Sequence, residues 1–429
     1  MLDRIDVNIE GLREVPLPRM AAVRQIFDPV RLDDVTGAVA EPFAREEVAA
    51  KIKPGASIAI GAGSRGVANI GEAVTAVVAA VKARGGEPFV FPAMGSHGGA
   101  TAEGQLQVLA TYGITEQAVG APVKASMDTV VLGNMPDGTP VHMDRMAHEA
   151  DGVILINRIK PHTTFRGAIE SGLVKMIAIG MGKIAGATIL HNHGMDRFPE
   201  VLPPVAEFIM ARIPFLCGIG MVENAYDETA LLEALLPETL VAREMELQAR
   251  AKELMGRLCF DDIDVLVIER MGKEVSGAGF DPNITGRNSR GVEGFDLPRV
   301  NKIVVLDLTG QTHGNATGIG VADVITMQLF RKIDFNVTYA NVITSAYLDG
   351  GLIPIIMNTP QEAIQLAAKT VPRVKPAETR IVRIRDTLTL GEILVSEPLL
   401  AEVESHSQME QAGQPQPFLF DDQGNPLAA

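Results

Sequence analysis

The sequence predicts an α/β protein of two domains, each a mostly parallel sheet covered by helices, with an active-site cleft between them. Three observations carry this. Short apolar runs such as SIAIGA (57–62), PFVFP (88–92) and GVILIN (152–157) alternate with longer Ala-rich stretches whose apolar residues recur at helical spacing. Strands apolar at nearly every residue are buried on both faces, which is the mark of a parallel sheet between two helical layers. Glycine-rich loops follow strands in both halves, and in such Rossmann-like sheets ligands sit beyond the carboxyl ends of the strands.

The elements follow in order. Residues 57–62 read as a strand and 69–84 (NIGEAVTAVVAAVKAR) as a helix closed by Gly85-Gly86. Residues 88–92 form the next strand, and Thr101 caps a helix running to Tyr112. Residues 152–157 and 175–179 (KMIAI) read as strands, 199–212 as a helix and 215–222 as a strand. The charged, Ala/Leu/Glu-rich stretch 228–258 reads as one long connecting helix. A second alternation follows: strands at 263–269 and 302–309, helices near 321–331 and 361–369, and a strand-like run at 380–385. The boundary is set at 258/259, giving domains 1–258 and 259–395. The tail, 396–429, rich in Gln, Ser and Pro from about residue 404, is expected to be loosely ordered and to pack back on the first domain.

Composition narrows the function. The 429 residues carry 38 Lys+Arg against 53 Asp+Glu, a net charge of −15, and aromatics are 4%. No basic block and few rings argue against a nucleic-acid partner. No run of eighteen apolar residues predicts a membrane span, and the charged start MLDRIDVNIEGLREV lacks a secretory apolar region, so a cytoplasmic protein is expected. Cys217 and Cys259, both beside apolar residues, read as two buried reduced thiols.

Chemistry concentrates in three loops. GAGSRG (61–66) follows the first strand, and its backbone N–H groups with Arg65 favour an anion. It is not read as a dinucleotide fingerprint, since the positions about 20 residues on include the cations Lys82 and Arg84. The loop Gly95-Ser96-His97 follows the second strand, with backbone open to close approach. The segment 157–194 holds His162, His191 and His193, three of eight histidines, with Arg158, Lys160, Arg166, Lys175 and Lys183. Such a cationic cluster in an acidic chain suggests an anionic ligand. Lys175 lies in an apolar run, which suits either a nucleophilic amine or a lysine snorkelling from a strand edge. His191-Asn192-His193 would put both rings on one face of a strand but not of a helix. In the second domain, Asn283 and Arg287 lie in a long polar loop after a strand. No HExxH, GxSxG or GxxxxGK[ST] pattern occurs.

Taken together, Gly95-Ser96-His97, Pro161-His162, Lys175 with Gly180 five residues on, and His191 sixteen residues after Lys175 resemble the nickel-pincer lactate racemase family. The likeness covers about residues 55–290. It implies a racemase or epimerase inverting C2 of a 2-hydroxy acid by reversible hydride transfer. The implied cofactor is nickel in a pyridinium-3,5-bisthiocarboxylic acid mononucleotide, installed by maturation enzymes. Lys175 would be the covalent attachment residue and His191 the metal ligand; His97 and His162 would be the acid–base pair, and Gly95, Ser96 and Gly180 would line the cofactor. Arg65 matches the family's substrate-binding arginine. The second-domain segment GAGFDPNITGR departs from the family's, so with Asn283 and Arg287 a substrate other than lactate itself is expected. A homo-oligomer is compatible with the sequence. Two other readings stand beside this one: a zinc-dependent hydrolase using His191 and His193, and a non-enzymatic binding protein for an anionic metabolite.

Overall fold

The computed structural model describes residues 4–5, 9–64, 66–288, 293–345 and 347–427. Strands are numbered in chain order. β1 (Met20–Gln25) precedes β2 (Ser57–Ala62), β3 (Glu87–Pro92), the hairpin β4 (Thr129–Asn134) and β5 (Pro140–Asp144), then β6 (Gly152–Arg158), β7 (Phe215–Glu223) and β8 (Thr229–Leu235). β9 (Asp262–Met271), β10 (Arg299–Leu308), β11 (Val324–Thr326), β12 (Ile355–Met357), β13 (Ile381–Ile384), β14 (Glu392–Ser396) and β15 (Met409–Gln411) complete the set. The chain divides into two compact units, residues 29–255 and residues 1–28 with 256–429.

In the 29–255 unit, five strands lie in the order β3-β2-β6-β7-β8, parallel except for the last pair. The period-2 alternation of β6 serves both layers. Val153 and Leu155 pack with Phe91, Leu173, Ile177 and Leu202 on one face, and Ile154 and Ile156 pack with Val74, Val77 and Leu109 on the other. This is the doubly covered sheet that the apolar runs predict. The helix Ile70–Ala83 carries the chain from β2 to β3 on one side, and the helices between β6 and β7 lie on the other. Strand order therefore reverses between β2 and β6, and the loops after them flank a crevice.

The other unit has an eight-stranded mixed sheet, β12-β11-β10-β9-β13-β14-β1-β15. The helix Pro360–Lys369, capped by Thr359 and with Ala363, Ile364 and Ala367 fully buried, covers Val265, Val267 and Val304. Here the expected domain limits are corrected. β1 pairs antiparallel with β14, Met20 opposite Ser396, so the first 28 residues belong with the second unit. The tail is built into the same unit: β15 pairs with β1, and Gln361 N–H donates to Gly424 O at 2.9 Å.

Two element readings are also corrected. Residues 175–179 are helical, not a strand: Leu173–Lys175 is an α-turn that continues as a π-helix over Met176–Gly180, buried on all sides. A short run apolar all round has no period to separate the two states. Residues 228–258 form β8 and then the helix Leu240–Leu254 rather than one helix. Cys217 is buried, its thiol pushed up to about 12 by burial, and Cys259 is half-buried; both are free. No single helix among the described residues is long and apolar enough to cross a membrane.

Candidate functional site

The crevice at the carboxyl ends of β2, β3 and β6 is built from backbone packing first. Gly63 leaves β2 with its N–H on Ile156 O at 3.1 Å. A Cβ there would lie 2.2 Å from Asn157 Oδ1, so any other residue would have to displace the Asn157 side chain at the end of β6. The next residue, Ser64, places its Oγ 2.5 Å from His97 Nδ1. His97 stands on the loop after β3. There Gly95 has φ +60°, its N–H donates to Gly180 O at 3.0 Å, and its carbonyl accepts from Gln105 Nε2 at 2.8 Å. Gln105, fully buried, also donates to His97 O at 3.2 Å. Gly180 is glycine for a related reason, since a Cβ there would meet Ala93 O at 2.5 Å. Ser96 contributes its carbonyl to Ala100 N–H.

After β6, a buried carboxylate organises the next loop. Glu170 accepts the backbone N–H of His162 at 2.7 Å and lies 2.5 Å from Lys252 Nζ and 3.5 Å from Arg166. The His162 ring stacks on Phe165 with centroids 4.3 Å apart and accepts Thr164 N–H at Nδ1 (3.1 Å). Its Nε2 lies 2.6 Å from Lys175 Nζ.

Lys175 ends the short turn that opens at Gly172. Glu244, on the Leu240–Leu254 helix, accepts Val174 N–H at 2.9 Å, and its Oε1 occupies the space of a Cβ at Gly172. Burial pushes the Glu244 carboxyl up to about 8, against the backbone hydrogen bonds of Val174 and Leu173. π-Turns of the kind that follow Lys175 recur at functional sites, because the extra residue re-aims side chains. The segments Leu173–Gly180 and Lys183–His191 then meet at 105°. His191 closes the second of them, with Nδ1 2.5 Å from Ala187 O and its ring edge-on to Phe198 at 5.2 Å. Phe198 in turn contacts Phe165 edge-on at 5.5 Å. One aromatic row thus joins His191 to the His162–Lys175 contact.

The remaining predicted cations resolve differently. Lys183 is fully buried, 2.9 Å from Asp144, with Nζ donating to Pro92 O (2.6 Å) and Gln105 Oε1 (3.3 Å). Desolvation lowers its pKa and Asp144 opposes that shift. Arg158 pairs with Glu223, which also accepts Ala68 N–H. Much of the cationic cluster is therefore neutralised inside the fold. His193 is turned away from His191, toward Thr139 Oγ1 at 3.2 Å, as expected off a strand. Arg65 lies outside the described residues.

In the second unit, Asn283 bonds the cap residue Asp281 through both its backbone N–H and Nδ2. Arg287 binds Asp323 at 2.5 Å and the carbonyls of Val321, Val300 and Asn301. Those partners stand where β10 and β11 begin, so Arg287 clips the starts of these strands together. Asp144, Glu170, Glu223, Glu244 and Gln105 were not legible as site residues: Asp144, Glu223 and Glu244 lie far in sequence from the groups they serve, and Glu170 and Gln105, though eight residues from His162 and His97, fall in no motif.

Fold and site together define a two-domain α/β protein with a lysine and three histidines held by loops and turns that follow parallel strands. Residues 16–200 match the lactate racemase N-terminal domain family, so the resemblance read from the sequence is borne out. No curated protein matches the chain. The lactate racemase apoprotein from Thermoanaerobacterium thermosaccharolyticum shares the fold: TM-score 0.54, 12% identity, over 90% of this chain and 96% of that one.

Proposed function

We propose that the protein is a racemase or epimerase acting at C2 of a 2-hydroxy acid other than lactate, with a nickel-pincer nucleotide carried on Lys175. The observation that carries the proposal is the contact of Lys175 Nζ with His162, joined through Phe165 and Phe198 to His191.

The residues fit the group. His191 has Nδ1 turned to Ala187 O, which makes Nδ1 the N–H and Nε2 the nitrogen that would bind a metal. Among the described residues no three His, Cys, Asp or Glu side chains converge on one point. A single imidazole suits a metal whose other ligands come from a cofactor, whereas a zinc hydrolase needs about three protein ligands. Lys175 is accessible enough to carry a nucleotide; Lys183, fully buried and ion-paired, is not.

When bound, the cofactor supplies a reversible acceptor for the C2 hydrogen. The chain's own groups handle the proton. A histidine would take the hydroxyl proton as the substrate becomes a flat 2-keto acid, and a histidine on the other side would restore one as the centre is inverted. Bases are needed on both sides, and His97 and His162, on separate loops, would supply them, since an imidazole can both take and give a proton. Arg65 would take the substrate carboxylate. Cofactor-maturation enzymes are the implied partners, and the acidic composition suits the cytoplasm.

The test is intact mass after co-production with those maturation enzymes. The mass should exceed that of the sequence by one nucleotide, with nickel and not zinc bound. Unmodified mass under those conditions would overturn the reading.

A further inference from the structure

We propose that Ser64 is the positioning residue of His97, holding the imidazole in one orientation in both of its protonation states. The proposal rests on the reading of His97 as an acid–base group.

The geometry is set by the sheet. β2 and β3 pair in parallel with Ala62 beside Pro92, so the loops leaving them run side by side. Ser64 and His97 come from these two loops, and Oγ and Nδ1 meet at 2.5 Å. The backbone under His97 is already fixed, because Gln105 donates to the carbonyls of Gly95 and His97 and is itself held by Lys183. The ring itself meets Ser64 Oγ at Nδ1, a contact that opposes its rotation.

The chemical type of the partner decides what it can do. A hydroxyl has one donor and two acceptor positions. It can donate to a bare Nδ1 when the proton is on Nε2. It can also accept from Nδ1–H when Nε2 is bare or when the ring is an imidazolium. A carboxylate could only accept, which would favour the charged ring. A backbone N–H can only donate, as Thr164 does to Nδ1 of His162. The two histidines are thus held by partners of different character. The hydroxyl can follow the His97 ring through a cycle in which Nε2 takes a proton in one direction of the reaction and gives one in the other.

The test uses the full chain, first without cofactor. Ring-¹⁵N-labelled histidine reports the tautomer and titration midpoint of His97, assigned by His97→Gln among the eight histidines. In Ser64→Ala the His97 ring shifts should move away from their wild-type values. In Ser64→Asp its midpoint should rise by about one pH unit. Ser64→Thr should restore the wild-type shifts. In the loaded enzyme, Ser64→Ala should lower kcat about tenfold, the scale of one lost hydrogen bond, with KM unchanged. Ser64→Thr should recover it, and Ser64→Asp should move the kcat pH profile upward. His97 signals identical in wild type and Ser64→Ala would overturn the proposal and leave the racemase reading standing. Full turnover in His97→Gln would instead remove the reading it rests on, whatever the ring signals show.

Discussion

Lys175 Nζ lies 2.6 Å from His162 Nε2, an attachment candidate and a base candidate in direct contact. The contact exists because Glu170 pins the backbone of His162 while Glu244 pins the turn that presents Lys175. It gives the first prediction. After maturation, the mass adduct should map to the peptide containing Lys175, and Lys175→Ala should abolish it with the fold intact by circular dichroism. Lys160 and Lys183 are the competing sites. Lys183 has no space for a nucleotide beside Asp144 and Pro92 O, so an adduct there would refute the assignment.

The metal ligand can be tested independently. His191→Ala should lose bound nickel, read by elemental analysis of the matured protein. His193→Ala should keep it, because that ring faces Thr139. Loss of nickel from His193→Ala alone would move the ligand by two residues and undo the role given to the Ala187 contact.

The Lys183–Asp144 pair carries a stability prediction. Both side chains are fully buried, so removing one partner strands a charge in the interior. Lys183→Met and Asp144→Asn should each destabilise the protein by about 3–5 kcal/mol, read as the shift in a urea unfolding transition. The double variant Lys183→Met/Asp144→Leu should recover most of the loss. It should not recover all of it, since Asp144 Oδ1 also accepts Ala147 N–H as a helix cap, worth about 1 kcal/mol. Additive losses in the double variant would contradict this account.

The strands of the first sheet and the loops after them were legible because sheet burial and glycine chemistry leave local marks. SIAIGA is β2 to the residue, and Thr101 caps its helix as expected. The order of His97, His162, Lys175 and His191 was legible as a spaced set. What was not legible depends on contacts across the chain. β1 joins a sheet with strands more than 350 residues away, and nothing local to MAAVRQ says so. The helical state of 173–180 is decided by tertiary burial and by Glu244 capping a turn 70 residues away. The cationic count around Lys183 misleads because its neutralising partner, Asp144, is 39 residues earlier, on the strand of a hairpin.

Glu244 predicts a pH dependence. Its folded pKa of about 8 lies above the ordinary glutamate value, so the native state holds a proton that the unfolded chain releases. The resulting stability is fully present below about pH 4.3 and is lost as pH rises toward the folded value, at up to about 1.4 kcal/mol per pH unit. Unfolding by urea at pH 5 and at pH 8 should show wild type less stable at the higher pH. Glu244→Gln, which keeps an acceptor for Val174 N–H without a charge, should flatten that difference. An unchanged slope in the glutamine variant would assign the effect to another group.

The reaction itself is tested by the fate of the C2 hydrogen. If His97 and His162 stand on opposite sides of one substrate carbon, each is the base for one enantiomer and the acid for the other. Removing either should lower turnover in both directions, by about 10²–10⁴-fold for a general acid–base group. A half-reaction separates them. With one histidine replaced, the other should still oxidise its own enantiomer to a bound keto acid in a single turnover, seen by rapid quench. A substrate deuterated at C2 should react more slowly, and the deuterium should be found at C2 of the inverted product, because a hydrogen carried with its electron pair does not exchange with water. A proton removed by histidine would exchange. Deuterium appearing in solvent would therefore mean carbanion chemistry at these histidines, and the role proposed for Lys175 and His191 would fall even with nickel bound.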